Sequence, residues 1–309
     1  FTTSSHKFIV QSGDTYTATG TWSVAGEIEV DGTLDVNSRT VTMTGATDVD
    51  GTLIISTGTY NADGASDIDG TLSITGTGVY DADNTFTAEN GAVTFTGAGF
   101  LRCNNTVTNL GNLSTGAGTV EYDGGTQEVL ADDYFNLEID QSGLKSPAGT
   151  VTVNGTMTVQ TAATYACDTR TTTVTGTTTS PGTIRISSGT YNADGPTDFS
   201  SGTLLISGTG EYDAANTFTA ASGDVTFTDA GFLRCSNTVT SLGTLSTDNG
   251  TVEYGGGTQD VIADVYYNLE IENAGTKTAQ GTVTVNGTFA VQNNGLVVYD
   301  IAGTNTTVT

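Results

Sequence analysis

Basic residues are scarce in this 309-residue chain: eight Lys and Arg stand against 34 Asp and Glu, a formal net charge of −26. Clustered Lys and Arg are what hold phosphate backbones and anionic lipid, so neither nucleic acid nor a membrane surface is expected as a partner. Histidine occurs once, at His6. With no second imidazole, a zinc site or a Ser-His-Asp constellation lacks its ligands, and His6 reads as a solvated residue of an end cap. Cysteine occurs three times, at Cys103, Cys167 and Cys235, with no CxxC or Cys/His pairing. The three read as small buried hydrophobes. No apolar run approaches the ~20 residues of a membrane-spanning helix, so no membrane insertion is expected. Charged residues make up only 14%, and Val, Ile, Leu, Phe and Tyr are spread along the whole chain, which excludes intrinsic disorder. No signal peptide is visible, and Phe1 reads as the start of a mature or excised piece. Abundant Thr, Gly, Asn and Ser with little Lys suit an extracellular or cell-surface β-protein.

What the chain does have is a copy of itself. Gly58 to Gln160, opening Gly-Thr-Tyr-Asn-Ala-Asp-Gly, returns as Gly189 to Gln292 with the same seven opening residues. Tyr60 returns as Tyr191 and Phe100 as Phe232, giving units of about 131 residues. An enzyme needs one unique constellation, whereas a stalk or scaffold needs the same unit many times; the expectation is no enzyme.

Inside each unit runs a shorter rhythm. Val30-Asp-Gly-Thr-Leu34, Val49-Asp-Gly-Thr-Leu53 and Ile68-Asp-Gly-Thr-Leu72 step by 19 residues. Each is followed by apolar/polar alternation, as in Leu72-Ser-Ile74, Val93-Thr-Phe95 and Val120-Glu-Tyr122, the mark of strands with one buried face. Such a step suits one coil of a β-solenoid, each coil adding about 4.8 Å and the whole chain a rod of roughly 70 Å. The predicted fold is therefore all-β, a parallel β-helix of two tandem units. The alternative pairs the same strands antiparallel in two tandem β-sandwich domains. Asp-Gly within Ile28–Val36 and Asn-Gly within Val151–Val159 are hairpin signals of that kind.

The predicted organisation is 1–43 as N-terminal cap and first coils, 44–175 as unit 1, and 176–309 as unit 2. Residues 21–30 match 150–159, which places them in the coil series, and residues 1–20 read as a cap over unpaired backbone. Thr306-Thr-Val-Thr309 resembles Thr172-Thr-Val-Thr175, as if a third unit were starting. The expectation is continuation in a longer chain or end-to-end self-association. If the copies stack in line, Cys103 and Cys235 lie a whole unit apart and cannot meet the ~5.5 Å Cα spacing of a disulfide.

Tyr134-Phe-Asn-Leu-Glu-Ile139 and Tyr266-Tyr-Asn-Leu-Glu-Ile271 are each followed by a Gly-Thr-Val-Thr-Val-Asn-Gly-Thr run, Gly149–Val159 and Gly281–Val291. With the lead-in Gly118-Thr-Val-Glu-Tyr122, these motifs resemble the repetitive, adhesin-like surface proteins of bacteria, over nearly the whole chain. The resemblance implies secretion, a β-helical stalk, and a role in adhesion or surface fibres. It supplies no catalytic residues.

Candidate sites are few. Asp48/Asp50, Asp67/Asp69 and Asp81/Asp83 are acidic pairs beside corners, suited as calcium ligands or as ordinary turn residues. In a glycosidase or lyase, paired carboxylates would do the acid–base work. In the second copy Asp198-Phe-Ser-Ser and Asp213-Ala-Ala break two of the pairs. Arg102 and Arg234, and Lys145 and Lys277, recur in register and are expected to neutralise carboxylates on a neighbouring coil or subunit. Threonine runs at Thr40–Thr44 and Thr171–Thr179 raise an ice-binding reading, with solvent-facing strands as the plainer one. Sequons at Asn104, Asn112, Asn154, Asn249, Asn286 and Asn305 are candidate glycosylation sites. The function expected is a structural extracellular protein, stalk or subunit of a surface adhesin or fibre, contacting glycans or host surfaces. Carbohydrate binding or polysaccharide cleavage is the alternative, and an ice-binding adhesin segment a lesser one. No cofactor is expected beyond structural calcium.

Overall fold

Alternation puts two side chains of each short strand inside and the rest outside. In Thr52–Ile55, Leu53 and Ile55 are buried while Thr52 and Ile54 are half-exposed. Three such strands make one coil: Ile28–Val30, Thr33–Asp35 and Thr40–Met43, followed by Thr47–Val49, Thr52–Ile55 and Thr59–Ala62. The computed structural model describes residues 7–114, 116–246, 248–292, 295–301, 303 and 305–309. Among them every strand pairing is parallel and there is no helix, so the chain is a β-solenoid. The antiparallel sandwich is overturned. Ile28–Val30 and Thr33–Asp35, which Asp-Gly would have joined as a hairpin, lie in different sheets, each paired to the next coil. Val151–Val153 and Met157–Val159 behave in the same way.

The chain divides into two compact units, Phe1–Ala148 and Gly149–Thr309. In the first, Leu34, Leu53, Leu72 and Val93 form one inward file, and Val41, Tyr60, Tyr80, Leu101, Val120 and Leu137 another. Phe8–Val10 and Thr15–Thr17 already pair with the coil that follows. The first described coil carries an aromatic cluster. Phe8 lies 5.4 Å from Tyr16 and 5.3 Å from Trp22, ring centre to ring centre. His6 falls outside the described residues. In the second unit, Tyr191, Tyr212, Leu233, Val252 and Leu269 repeat the inward file.

Buried tyrosines partner several of the small polar residues that face inward. Tyr60 and Tyr80 stack at 5.2 Å and 16°, Tyr191 and Tyr212 at 5.0 Å and 8°. A buried hydroxyl without a partner is costly. Tyr80 donates to Ser66 at 2.7 Å, and Thr47, Thr178 and Thr197 lie 3.0 Å from the hydroxyls of Tyr60, Tyr191 and Tyr212. Cys103, Cys167 and Cys235 are free and buried, as small hydrophobes should be. Burial pushes the Cys167 thiol up to about 12.

The repeated Asp-Gly glycines serve stacking. A Cβ on Gly51 would lie 2.0 Å from the carbonyl oxygen of Gly32 in the preceding coil, and one on Gly70 would lie 2.1 Å from that of Gly51. Each glycine lets a corner sit directly on the corner before it. Gly51→Ala should therefore lower stability by about 1–3 kcal/mol, as overpacking does. Gly125→Ala, with nothing within 4 Å of its Cβ, should change it by less than about 0.5 kcal/mol. Urea denaturation of the full chain compares the two, and equal effects would refute the stacking account.

Candidate functional site

The stretch of highest internal identity carries the densest polar chemistry. On the outer surface of unit 1, ladder register places Asp81, Arg102, Glu121 and Glu138 in one file, one residue per coil. Arg102 donates from Nε to Glu121 at 2.8 Å, and its guanidinium lies 5.3 Å from the Phe100 ring centre. Burial pushes the Glu121 carboxyl up to about 7; Arg102 opposes the shift, and Glu138 and Asp123 add to it. Asp123, at the adjoining corner, is raised to about 6, first by burial and then by Asp81. In unit 2 the file is Asp213, Arg234, Glu253 and Glu270. There Arg234 reaches Glu211 at 3.1 Å and Glu253 at 3.3 Å. Glu253 is again raised, with burial the largest cause and Glu272 the next.

The arginines thus neutralise carboxylates on neighbouring coils, as their repetition implied. The lysines do something else. Lys145 is fully buried, and its ammonium donates to the backbone carbonyls of Asp140 and Gln141, the latter at 2.9 Å. Those carbonyls belong to a turn in which Gln141 and Gly143 have φ of 55° and 124°. Lys277 donates likewise to the carbonyls of Glu272 and Asn273, in a turn with Asn273 at φ 57°. Burial lowers both lysine pKa values. Both side chains point into the coil and meet turn carbonyls where a carboxylate partner was expected.

Beside this file the sheet opens. Val107 bridges back to Phe86, but the strand of the next coil, Gln127–Val129, starts a new ladder with Gly143–Pro147. The gap is a cleft of about 710 Å³ lined on one side by residues 104–108 and on the other by residues 125–128 and Leu130. Buried Gln127 spans its closed end. Its Nε2 donates to the carbonyls of Cys103 and Asn105 at 2.8 and 2.6 Å, and its Oε1 accepts from the Gly124 amide at 2.8 Å. Unit 2 has its own cleft, about 250 Å³, lined by Asn237, Thr238, Val239, Thr258, Gln259 and Asp260. Gln259 spans it through the carbonyls of Cys235 and Asn237. Neither glutamine stood out among the sequence candidates. The signal was present all the same, in Gly-Gly-Thr-Gln retained at 124–127 and 256–259.

The sequence candidates are scattered by comparison. Asp48 and Asp67 face each other in register with Glu29 next in file, and Glu29 pairs with Lys7. Asp69 accepts from Asn90 at 3.1 Å, and Asp83 from Asn104 at 2.7 Å. Asp50 adjoins the stacked Gly51 corner, and Asp81 adjoins Arg102. Among the described residues no three or more His, Cys, Asp or Glu side chains converge as metal ligands. All six sequon asparagines, Asn104, Asn112, Asn154, Asn249, Asn286 and Asn305, are exposed. Thr15, Thr33, Thr52 and Thr71 stand in one outward file, but the adjoining file reads Thr17, Asp35, Ile54 and Ser73. No protein-family model matches this chain, and neither does any curated protein or solved structure.

Glu121 makes stability pH-dependent with a definite sign. Its folded pKa lies above the ordinary value of 4.5, so the folded state favours the protonated carboxyl. The stabilisation is complete below that ordinary value and is lost as pH climbs through about 7. Melting temperature should therefore fall between about pH 5 and pH 8. Glu121→Gln, which keeps an acceptor for Arg102, should flatten that fall. An unchanged profile in the variant would show that Glu121 does not titrate in this range.

Proposed function

We propose that this chain is a structural extracellular protein, the stalk or a subunit of a cell-surface adhesin or fibre. The observation that carries the reading is the ladder itself. In each unit parallel strands bond coil to coil along most of the stack, and the same coil series is used twice. Such a stack resists extension through many hydrogen bonds at once and demands no unique reacting constellation. The Asn-Leu-Glu-Ile and Asn-Gly-Thr motifs, which resemble those of adhesin-like surface proteins, point the same way. So do the exposed sequons and the acidic exterior. At the last described coil the inward-facing Val291 and Val308 are 47% and 54% exposed. A further coil, from the same polypeptide or a second copy, would cover this apolar edge.

Carbohydrate binding or cleavage is the second reading. It is favoured by a shallow groove of about 240 Å³ where Phe232, Asn268 and Glu270 meet on the outer face of unit 2. An aromatic ring, an amide and a carboxylate are suitable sugar contacts.

Electron microscopy and fibre diffraction of native material separate the readings. Continuous filaments with a reflection near 4.8 Å along the fibre axis are the expected result, because coils then stack coaxially. Isolated short particles that bind or cleave glycans would overturn the fibre reading.

A further inference from the structure

We infer that the two clefts are slots for an extended, basic peptide, which would add a strand to the exposed sheet edges. The argument begins with backbone direction. The Phe86 amide donates to Thr106 O at 2.9 Å and Phe86 O accepts from the Thr108 amide at 3.0 Å. Successive residues of a strand turn their N–H and C=O to opposite sides, so the groups of Val107 point away from Phe86, into the cleft. On the far wall, Val129 O accepts from the Ala148 amide at 2.8 Å. By the same alternation Glu128 turns its N–H and C=O into the cleft from the other side. Unit 2 repeats this: the Phe218 amide bonds Thr238 O at 2.9 Å and Val261 O accepts from Gln280 at 2.9 Å. Val239 and Asp260 are left facing its cleft.

These edges interrupt ladders that elsewhere run from coil to coil, and backbone groups of a sheet edge are a template for another strand. Gln127 and Gln259 keep the walls apart and tied at the closed end, so each slot is preformed. The lining selects the occupant. Thr106, Thr108 and Thr126 suit a neighbouring β-strand, no aromatic ring is present for a sugar to stack on, and no Lys or Arg lines either cleft. Exposed Glu128 and Asp260 add acid at the lips, in a chain of net charge −26. A peptide alternating Thr or Val with Lys meets both the amides and the carboxylates. The larger cleft in unit 1 should fill first.

The test uses the full chain and a capped heptapeptide, Thr-Lys-Val-Thr-Val-Lys-Thr, with amide hydrogen exchange as readout. Saturating peptide should slow exchange at Val107 and Glu128, and more weakly at Val239 and Asp260. The same peptide N-methylated at alternate residues, with its charge kept, should give no protection. Glu128→Lys together with Asp260→Lys, both at exposed positions, should weaken binding by about tenfold at low salt. Equal protection by the N-methylated peptide would reduce the effect to charge attraction and overturn the inference. It would equally be overturned if those amides stayed unprotected by peptide at millimolar concentration, or were protected by a cello-oligosaccharide instead.

Discussion

Everything in this protein follows from the parallel ladder that bonds each coil to the next. Once Thr52 faces Thr71 and Leu53 faces Leu72, the spacing between coils is fixed and side chains of equal position stack upon one another. Like then meets like: leucine on leucine, tyrosine on tyrosine. Inward files can be continuous and apolar, and each buried side chain contributes about 1.5–3 kcal/mol relative to exposure. The same spacing penalises a Cβ at a stacked corner, which is why glycine recurs there. It also brings an outward Arg102 within reach of Glu121, a residue far away in sequence but one coil away in space.

The informative places are where the ladder cannot continue. A left-handed turn at Gln141 leaves carbonyls aimed inward, and Lys145 is buried to meet them. A coil that draws away from its neighbour leaves a cleft, and Gln127 crosses to hold its end. In each case an internal side chain takes over hydrogen bonds that strand pairing would have made. Lys145 and Gln127 are accordingly buried where strand pairing is broken. Their recurrence in both units gives the same defect the same remedy.

The acidic exterior and the raised carboxyls of Glu121 and Asp123 belong to the same economy of stacking. Register forces like charges into files, so burial and repulsion push their pKa values up together.

Much of this was legible in the residues. The 19-residue step, the alternation in Leu72-Ser-Ile74 and the long internal copy determined strand content, inward faces and the solenoid class, because period and repetition are local properties of the chain. The sign of the surface and the buried state of the cysteines were legible for the same reason. Asp-Gly, by contrast, could be a hairpin turn or a stacked corner. Only the neighbouring coil decides, through a carbonyl 2.0 Å from the missing Cβ. Lys145 and Gln127 likewise looked like ordinary repeated polar residues. Their roles depend on where a ladder stops, and strand pairing between residues distant in sequence is settled by the tertiary stack alone.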